Sequence, residues 1–274
     1  MLTPVVKTIK LISSVLLLVL DLFKLLYLSI KSNIFHRGLG GRDIFRDITM
    51  QIYFTGVQAF PIIFIVATLV GMIVVIQSAT QLSRIGAGES LGNILVLVII
   101  RELGPIITAI LLIARSATAI TTEIGNMKVF KEVQALEVIG VNTLQFIVFP
   151  RLFGGVIAMM CLSVYFVFVA ILGGYILANT MLSIPLNYYL ENIIYSITPA
   201  DMIIFFTKNL ILALTIFLIA CYFGLSVQGA VFEVPVMVIK TVVASLFLCI
   251  SVNAVMSLAF YLFWSKSALI ETFL

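Results

Sequence analysis

Five long apolar runs decide what this chain can fold into. They cover residues 56–80, 91–120, 145–177, 201–225 and 241–264. Each reaches about 20 residues or more, the length that an α-helix needs to cross a hydrocarbon core about 30 Å thick. Hydrophobic residues fill 62% of the 274 positions and charged residues only 10%, against about 25% charged in soluble domains. The sequence therefore predicts an all-α integral membrane protein with five transmembrane helices.

The composition also excludes several classes of function. The basic residues are dispersed rather than interleaved with aromatics, so the net charge of +4 indicates no nucleic-acid partner. His36 stands alone and the three cysteines are far apart, which argues against a metal site. No phosphate-binding G-x-x-x-x-G-K-[ST] occurs, since "GAGESLG" (86–92) lacks the Lys. We therefore expect no enzyme activity and no cofactor on this chain.

The N-terminal residues 5–31 predict one long helix with a polar stripe. Its charged residues fall within a sector roughly 120° wide at about 100° per residue: Lys7, Lys10, Asp21, Lys24 and Lys31. Such a stripe is typical of an amphipathic helix that lies in the membrane interface; a transmembrane helix with its stripe turned inward is the alternative. A basic, glycine-containing loop follows at 31–47. We expect residues 1–47 to form this N-terminal unit and residues 48–274 the five-span domain.

The connections between the runs differ in charge. The 122–144 loop carries Lys128 and Lys131, and Lys240 ends the 226–240 loop, whereas the 178–200 loop has no basic residue. Basic loops stay in the cytoplasm. The pattern therefore predicts a cytoplasmic N-terminus and a C-terminus on the opposite side.

The stretch "VLVIIRELGPIITAILLIAR" (96–115) places polar residues deep in a span. Arg101 lies roughly 15 Å from the start of the run, where a charge costs at least about 2.5–3.5 kcal/mol. Arg101 and Glu102 are adjacent and point about 100° apart, so each needs its own partner. Pro105 removes the hydrogen bond to the carbonyl of Arg101 and predicts a kink there. Ionisable residues at such depth indicate a functional site.

Lys208 is the second charge within a span. It lies close to the level of Glu102, so we predict a Glu102–Lys208 ion pair between the second and fourth spans. Pairing with Asp201, one heptad earlier on the same face, and extension of Lys208 toward the interface are the alternatives.

The segment "TTEIGNMKVFKEVQALEVIGVN" (121–142) alternates charged and apolar positions at helical spacing. It predicts a short amphipathic helix between two spans on the cytoplasmic side. Such a helix either lies on the lipid headgroups or docks a cytoplasmic partner. The composition of the segment does not distinguish a helix on the headgroups from a docking helix.

The stretch 101–140 resembles the core motif of MlaE-type (YrbE) permeases, the membrane subunits of MCE-associated ABC transporters. The matching positions are Arg101, Glu102, Leu103, Gly104, Pro105, Arg115, Glu123, Gly125, Met127, Val129, Glu132, Ala135 and Leu136. Gly56, Pro61, Gly71 and Gln77 extend it upstream, and "FPRL" (149–152), Lys208 and "CYFGLSVQGA" (221–230) extend it downstream. The resemblance covers roughly residues 45–258. Ala114, Asn253 and "VFEVPVMVIK" (231–240) depart from the family pattern.

This resemblance implies a fold and a set of partners. The fold would be type-II-exporter-like, with an N-terminal interfacial helix, five transmembrane helices and a cytoplasmic coupling helix at about 122–142. Two copies would form a homodimer around a lipid pocket. A cytoplasmic ABC ATPase would bind ATP and Mg²⁺, an MCE-domain protein would sit on the periplasmic face, and a STAS-domain protein would be a further, optional partner. The chain would lie in the inner membrane of a Gram-negative bacterium and move phospholipid or a related lipid between inner and outer membranes.

The resemblance also implies two groups of site residues. The lipid pocket and transport group is Gln77, Arg101, Glu102, Pro105 and Lys208. The ATPase-contact group is Glu123, Gly125, Met127, Lys128, Lys131, Glu132, Leu136 and Glu137. Two other interpretations stay open: a self-sufficient channel or secondary transporter with an intramembrane Arg/Glu site, and a structural assembly subunit without cargo. Whether Arg101 touches lipid or only holds the spans together is open as well.

Overall fold

A computed structural model describes residues 18–29, 31, 41–85, 91–182 and 185–273. All regular structure within these ranges is helical. The α-helices are α1 (18–29), α2 (Gly41–Thr55), α3 (Phe60–Ile85), α4 (Leu91–Leu95), α5 (Gly104–Leu112), α6 (Thr118–Val129), α7 (Glu132–Val138), α8 (Phe149–Leu182), α9 (Leu186–Ser196), α10 (Pro199–Leu225) and α11 (Glu233–Phe273). A 3₁₀ turn at Val57–Ala59 and π-helical segments at Val96–Leu103, Ile113–Ala117 and Leu144–Val148 complete them.

Among the described residues, five helical stretches are long and apolar enough to cross a membrane. They are Ile44–Gln81, Gly92–Val129, Leu144–Thr180, Pro199–Leu225 and Glu233–Leu262. The predicted number of spans is therefore confirmed. We number them one to five. Short connections at 130–143 and 226–232 place neighbouring spans antiparallel, so the bundle has one end at these connections and an opposite end near residues 92 and 199.

The predicted loop at 31–47 is wrong for its last part, because α2 begins at Gly41. Ile44, Ile48 and Ile52 recur every four residues and give α2 an apolar face, which packs against α8. The first span therefore begins well before residue 56. Residues 5–17 and 30 of the helix predicted at 5–31 lie outside the described residues. The described part is helical, and Asp21 accepts a hydrogen bond from the Tyr222 hydroxyl of α10 at 3.4 Å.

Two further predicted loops contain helix. The 178–200 connection includes α9, which is anchored by Tyr189: its hydroxyl donates to the carbonyl of Ile171 at 3.1 Å, and burial raises the pKa of the phenol. The 226–240 connection ends early because α11 begins at Glu233, whose carboxylate accepts the backbone N–H of Gln228 at 2.8 Å. The predictions of loops at 178–200 and 226–240 are therefore wrong for Leu186–Ser196 and for the residues from Glu233 onward.

The predicted amphipathic helix at 122–142 is two helices rather than one. α6 continues the second span to Val129, and α7 occupies only Glu132–Val138. Lys131 separates them with a left-handed backbone, φ 59°, a conformation that L-residues adopt only singly. Gly140, φ 81°, ends α7. The alternation of charged and apolar residues predicts helical structure in this segment, but it does not predict the break at Lys131.

Glycines permit the closest helix contacts in the bundle. α3 packs most extensively against α8, and a Cβ on Gly71 would overlap the carbonyl oxygen of Ala170. A Cβ on Gly155 of α8 would meet the Phe217 ring of α10 at 2.5 Å. Small residues drive helix association in lipid because they let backbones approach. Spans three and four thus form the centre of the bundle, whereas span five is the least covered, with 11% of its most apolar window buried.

Replacing Gly71 by Leu should separate α3 from α8, because the new side chain has no space beside Ala170. Overpacking typically costs about 1–3 kcal/mol, so the thermal unfolding temperature of the detergent-solubilised chain should fall. Leu69→Phe is the matched control, since Leu69 is exposed on the same helix. Equal unfolding temperatures for Gly71→Leu and the native chain would contradict this packing.

Candidate functional site

Four charged side chains meet between the second and fourth spans. Arg101 pairs with Asp201, and Lys208 pairs with Glu102 at 2.9 Å. The predicted Glu102–Lys208 ion pair is therefore present. The alternative partner of Lys208, Asp201, is taken by Arg101. The two adjacent charges of the second span thus have separate partners, as their 100° separation requires.

Lys208 is the centre of this charge network. Its side chain is 1% exposed, and its ammonium donates to three oxygens: Glu102 Oε1 at 2.9 Å, Ser257 Oγ at 2.7 Å and the carbonyl of Arg101 at 2.9 Å. An ammonium has three N–H donors. All three are used, so Lys208 is held by groups from spans two and five.

The carbonyl of Arg101 is the one that Pro105 leaves without its helical donor. The predicted kink takes the form of a π-helical segment, Val96–Leu103, directly before the proline. Gly104 closes this segment by donating its N–H to the carbonyl of Ile99, five residues back. The freed oxygen of Arg101 receives the Lys208 ammonium instead. Proline, π-helix and lysine therefore form one local arrangement.

Glu102 has two further partners that the sequence analysis did not select. Asn253 donates its amide to Oε2 at 3.1 Å, and Ser257 donates to Oε1 at 2.7 Å. Both lie on α11, four positions apart and therefore on one face of the fifth span. The sequence contains one indication of this role, namely two polar residues four positions apart within an apolar span. Asn253, noted as a departure from the family pattern, thus belongs to the network.

Arg101 faces a small cavity. The cavity measures about 250 Å³ and is lined by Leu97, Arg101, Glu102, Ile204, Lys208, Ser257, Phe260 and Tyr261. The guanidinium lies 5.0 Å from the centre of the Phe260 ring, within the range of a cation–π contact. Its partner Asp201 is fixed by the α10 capping box, in which the Thr198 N–H and hydroxyl donate to Asp201 at 3.0 and 2.8 Å. Arg101 is thus the partly exposed member of a rigid pair.

Two residues of the predicted pocket group lie elsewhere. Gln77 is exposed on α3 and does not line this cavity. Pro105 is buried at the start of α5, also outside the lining. Proline acts on the site through the backbone, since it releases the carbonyl that Lys208 binds. Arg101, Glu102 and Lys208 are the members that the fold brings together.

The predicted ATPase-contact group lies at the other end of the second span. Four of its members have exposed side chains: Glu123, Lys131, Glu132 and Glu137. Lys128, Met127 and Leu136 are half-buried, and Gly125 is buried, where a Cβ would meet Val234 at 3.2 Å. Gly125 is therefore a packing position. Glu123 forms an ion pair with Arg151 at 2.6 Å.

Exposed apolar side chains accompany these charges and were not selected from the sequence. Phe130 precedes the Lys131 break, and Val138 and Ile139 end α7; Val138 is 86% exposed. Apolar groups this exposed at the polar end of a bundle are typical of an interaction surface. We call Phe130, Val138 and Ile139 the α7 apolar patch.

Comparison with known proteins decides the family. A family model described as permease MlaE matches residues 48–259. The chain belongs to the MlaE permease family. The predicted resemblance is thereby confirmed, and the charge network and the α7 apolar patch both lie within the matched residues.

Individual relatives of this MlaE-family permease agree. It is 29% identical over 180 residues to a probable ABC transporter permease protein of Rickettsia bellii, covering 66% of this chain and 70% of the relative. It is 37% identical over 133 residues to the intermembrane phospholipid transport system permease protein MlaE of Haemophilus influenzae, covering 48% and 51%. It is 27% identical over 210 residues to the chloroplastic protein trigalactosyldiacylglycerol 1 of Arabidopsis thaliana, covering 77% and 60%.

Exchanging the charges of Glu102 and Lys208 tests the network. Glu102→Lys and Lys208→Glu should each lower stability strongly, because breaking a buried pair typically costs about 3–5 kcal/mol. The double variant should recover part of the loss, but not all, since a glutamate at 208 cannot donate to the Arg101 carbonyl. The measurement is thermal unfolding in detergent, with Lys240→Glu on the exposed start of α11 as control. A double variant no more stable than either single one would contradict the pair.

Proposed function

We propose that this chain is the permease subunit of an ABC transporter that moves phospholipid or a related lipid between the inner and outer membranes. A partner ATPase drives it through the region around α7. The observation that carries the proposal is continuity: the helical stretch Gly92–Val129 joins the charge network at one end to the α7 apolar patch at the other. Family membership and the name of the Haemophilus relative, an intermembrane phospholipid transport system permease protein, support phospholipid as the cargo.

Arg101 is the residue proposed to meet the lipid. A guanidinium binds phosphate through two parallel hydrogen bonds, and this one lines the 250 Å³ cavity beside Phe260 and Tyr261. A phosphate that enters competes with Asp201 for Arg101. Glu102 and Lys208 are saturated with partners inside the fold, so they act as the rigid support. We keep Gln77 and Pro105 in the proposed transport group, although neither residue lines this cavity.

The mechanism is conformational rather than chemical. Closure of the ATPase displaces α7 and, through α6, the whole second span. The π-helical segments Val96–Leu103 and Ile113–Ala117 interrupt that span, and π-helical segments often mark functional sites. We propose that they absorb the movement. The segment next to Arg101 then shifts against Asp201, and lipid leaves the cavity.

The exposed surfaces of the bundle suggest where we expect partner proteins to bind. Span five is the least buried of the five, which supports a second copy of the chain packing against α11 as a homodimer. The ATPase, which binds ATP and Mg²⁺, takes the end with residues 130–143, and the MCE-domain protein takes the opposite, periplasmic end. A STAS-domain protein would bind the ATPase. The chain thus lies in the inner membrane, N-terminus cytoplasmic and C-terminus periplasmic.

The transport role of Arg101 can be separated from its structural role. Arg101→Gln combined with Asp201→Asn removes both charges, so no buried charge is left alone and the capping box keeps an acceptor. The complex should assemble, while ATP-driven lipid transport in proteoliposomes should fall by about tenfold or more. Ser251→Ala, a half-buried change on α11 outside the cavity lining, is the control. Full transport by the double variant, or ion movement by the chain alone without ATP, would contradict the proposal.

The α7 apolar patch gives a separate prediction for the ATPase. Val138→Asp should weaken co-purification of the ATPase, since a charge replaces an apolar contact at the interface. Tyr195→Asp is the matched control, because Tyr195 is equally exposed at the opposite end of the bundle. Lipid binding by the chain alone should be unchanged in both variants. Undiminished ATPase binding by Val138→Asp would exclude the patch as the docking site.

A further inference from the structure

A second and larger cavity lies at the end of the bundle with residues 130–143. It measures about 650 Å³ and is enclosed by α2, the end of the second span and the start of the third. This volume lies within the range of about 300–1,000 Å³ typical of small-molecule sites. Its charged lining consists of Asp47, Arg115, Glu123 and Arg151. It belongs neither to the charge network nor to the α7 apolar patch.

One pair of these charges is already neutralised. Arg151 Nη2 lies 2.6 Å from Glu123 Oε1, and Arg151 Nη1 donates to the carbonyl of Ile147 at 2.9 Å. The pair joins α6 to α8 across the cavity wall. It contributes no net charge to the cavity.

Arg115 and Asp47 carry the unbalanced charges. Arg115 Nη2 donates to the neutral amide oxygen of Gln58 at 2.7 Å, and its Nη1 is buried without a hydrogen-bond partner. Within the described residues, neither Arg115 nor Asp47 forms an ion pair, and the Asp47 carboxylate accepts no hydrogen bond. Uncompensated charges within a membrane bundle are costly. Among the residues that the structure describes, the cavity lining thus holds one cation, Arg115, and one anion, Asp47, without an ion-pair partner.

The rim of the cavity is apolar and open to the surroundings. Met50, Phe54 and Phe146 line it, and all three have exposed side chains. They lie on the outer side of the bundle, where a transmembrane protein meets acyl chains. A ligand that satisfies the whole cavity therefore carries a negative group, a positive group and an apolar body.

We propose that this cavity binds the headgroup of a zwitterionic phospholipid, with the phosphate at Arg115 and the ammonium at Asp47. Arg115 follows Arg101 by 14 positions, roughly 20 Å along a helix at about 1.5 Å per residue. Because Arg101 lies near mid-depth, the Arg115 cavity is near the membrane surface at the end of the bundle with residues 130–143, at headgroup level. Guanidinium–phosphate and carboxylate–ammonium contacts are both charge-assisted hydrogen bonds. The choice of a lipid occupant rests on the proposed function.

The test measures lipid binding by the full chain in detergent micelles, using native mass spectrometry. Three probes share the same dioleoyl chains: phosphatidylethanolamine with both charges, phosphatidylglycerol with the phosphate alone, and dioleoylglycerol with neither. The native chain should bind them in that order. Arg115→Gln should weaken both phospholipids by about tenfold, equivalent to about 1.4 kcal/mol. Asp47→Asn should weaken phosphatidylethanolamine alone, so that it binds like phosphatidylglycerol.

Matched controls separate the cavity from surface charge. Arg46→Gln and Glu191→Gln remove exposed charges outside the cavity and should keep the native order. Arg115→Lys retains the cation and should keep most of the phosphate preference. Native binding of phosphatidylethanolamine by both Arg115→Gln and Asp47→Asn would overturn the site, as would equal binding of dioleoylglycerol by the native chain.

A soluble probe distinguishes a lipid from a free phosphodiester. Glycerophosphoethanolamine carries the same headgroup without acyl chains, and it should compete at least about tenfold more weakly than the lipid because it cannot use the apolar rim. Equal competition would overturn the lipid assignment. ATP-driven transport is measured on the assembled complex. Intact headgroup selectivity with absent native transport would contradict the proposed function alone, whereas lost selectivity with intact transport would contradict only this site.

Discussion

The buried ammonium of Lys208 is the interaction on which the arrangement of the spans depends. A charge at this depth is tolerated only when every donor is used. Its three acceptors are Glu102, the Arg101 carbonyl and Ser257, which come from the second and fifth spans. The hydrogen bonds of this one side chain of the fourth span therefore fix the positions of the second and fifth spans. Lipid offers no hydrophobic force between helices, so this polar contact, together with glycine packing, sets the bundle.

The neighbouring polar residues follow from that requirement. Pro105 would destabilise an ordinary helix interior, but here the carbonyl it frees becomes a ligand for Lys208. Arg101 and Glu102 lie at the end of the π-helical segment before the proline and pair with different partners, Asp201 and Lys208. Asp201 in turn is held by the first turn of α10. An apparently unfavourable run of residues is thus locally satisfied, with Arg101 left facing a cavity.

The two cavities give the proposed transport a spatial order. One lies beside Arg101 and the other beside Arg115, and both arginines belong to the same continuous span. A movement of α7 would reach the Arg115 cavity first and the Arg101 cavity second. In the proposed mechanism, the second span couples ATPase docking to lipid near the membrane surface, beside Arg115, and at mid-depth, beside Arg101.

The number of spans, the family and the Glu102–Lys208 pair could be predicted from the sequence. The length of each apolar run gives the number of spans, and the long motif gives the family. The depth of a residue within its run can also be counted along the chain, which places Glu102 and Lys208 at a similar level. Other features required the tertiary structure. Asn253 and Ser257 are distant in sequence from Glu102, and only packing of the fifth span brings them to it. The break between α6 and α7 depends on the left-handed backbone conformation of Lys131, which the residue pattern does not predict. The unbalanced charges of Arg115 and Asp47 share a cavity only because α2 folds against α8, a contact decided by side-chain fit between helices.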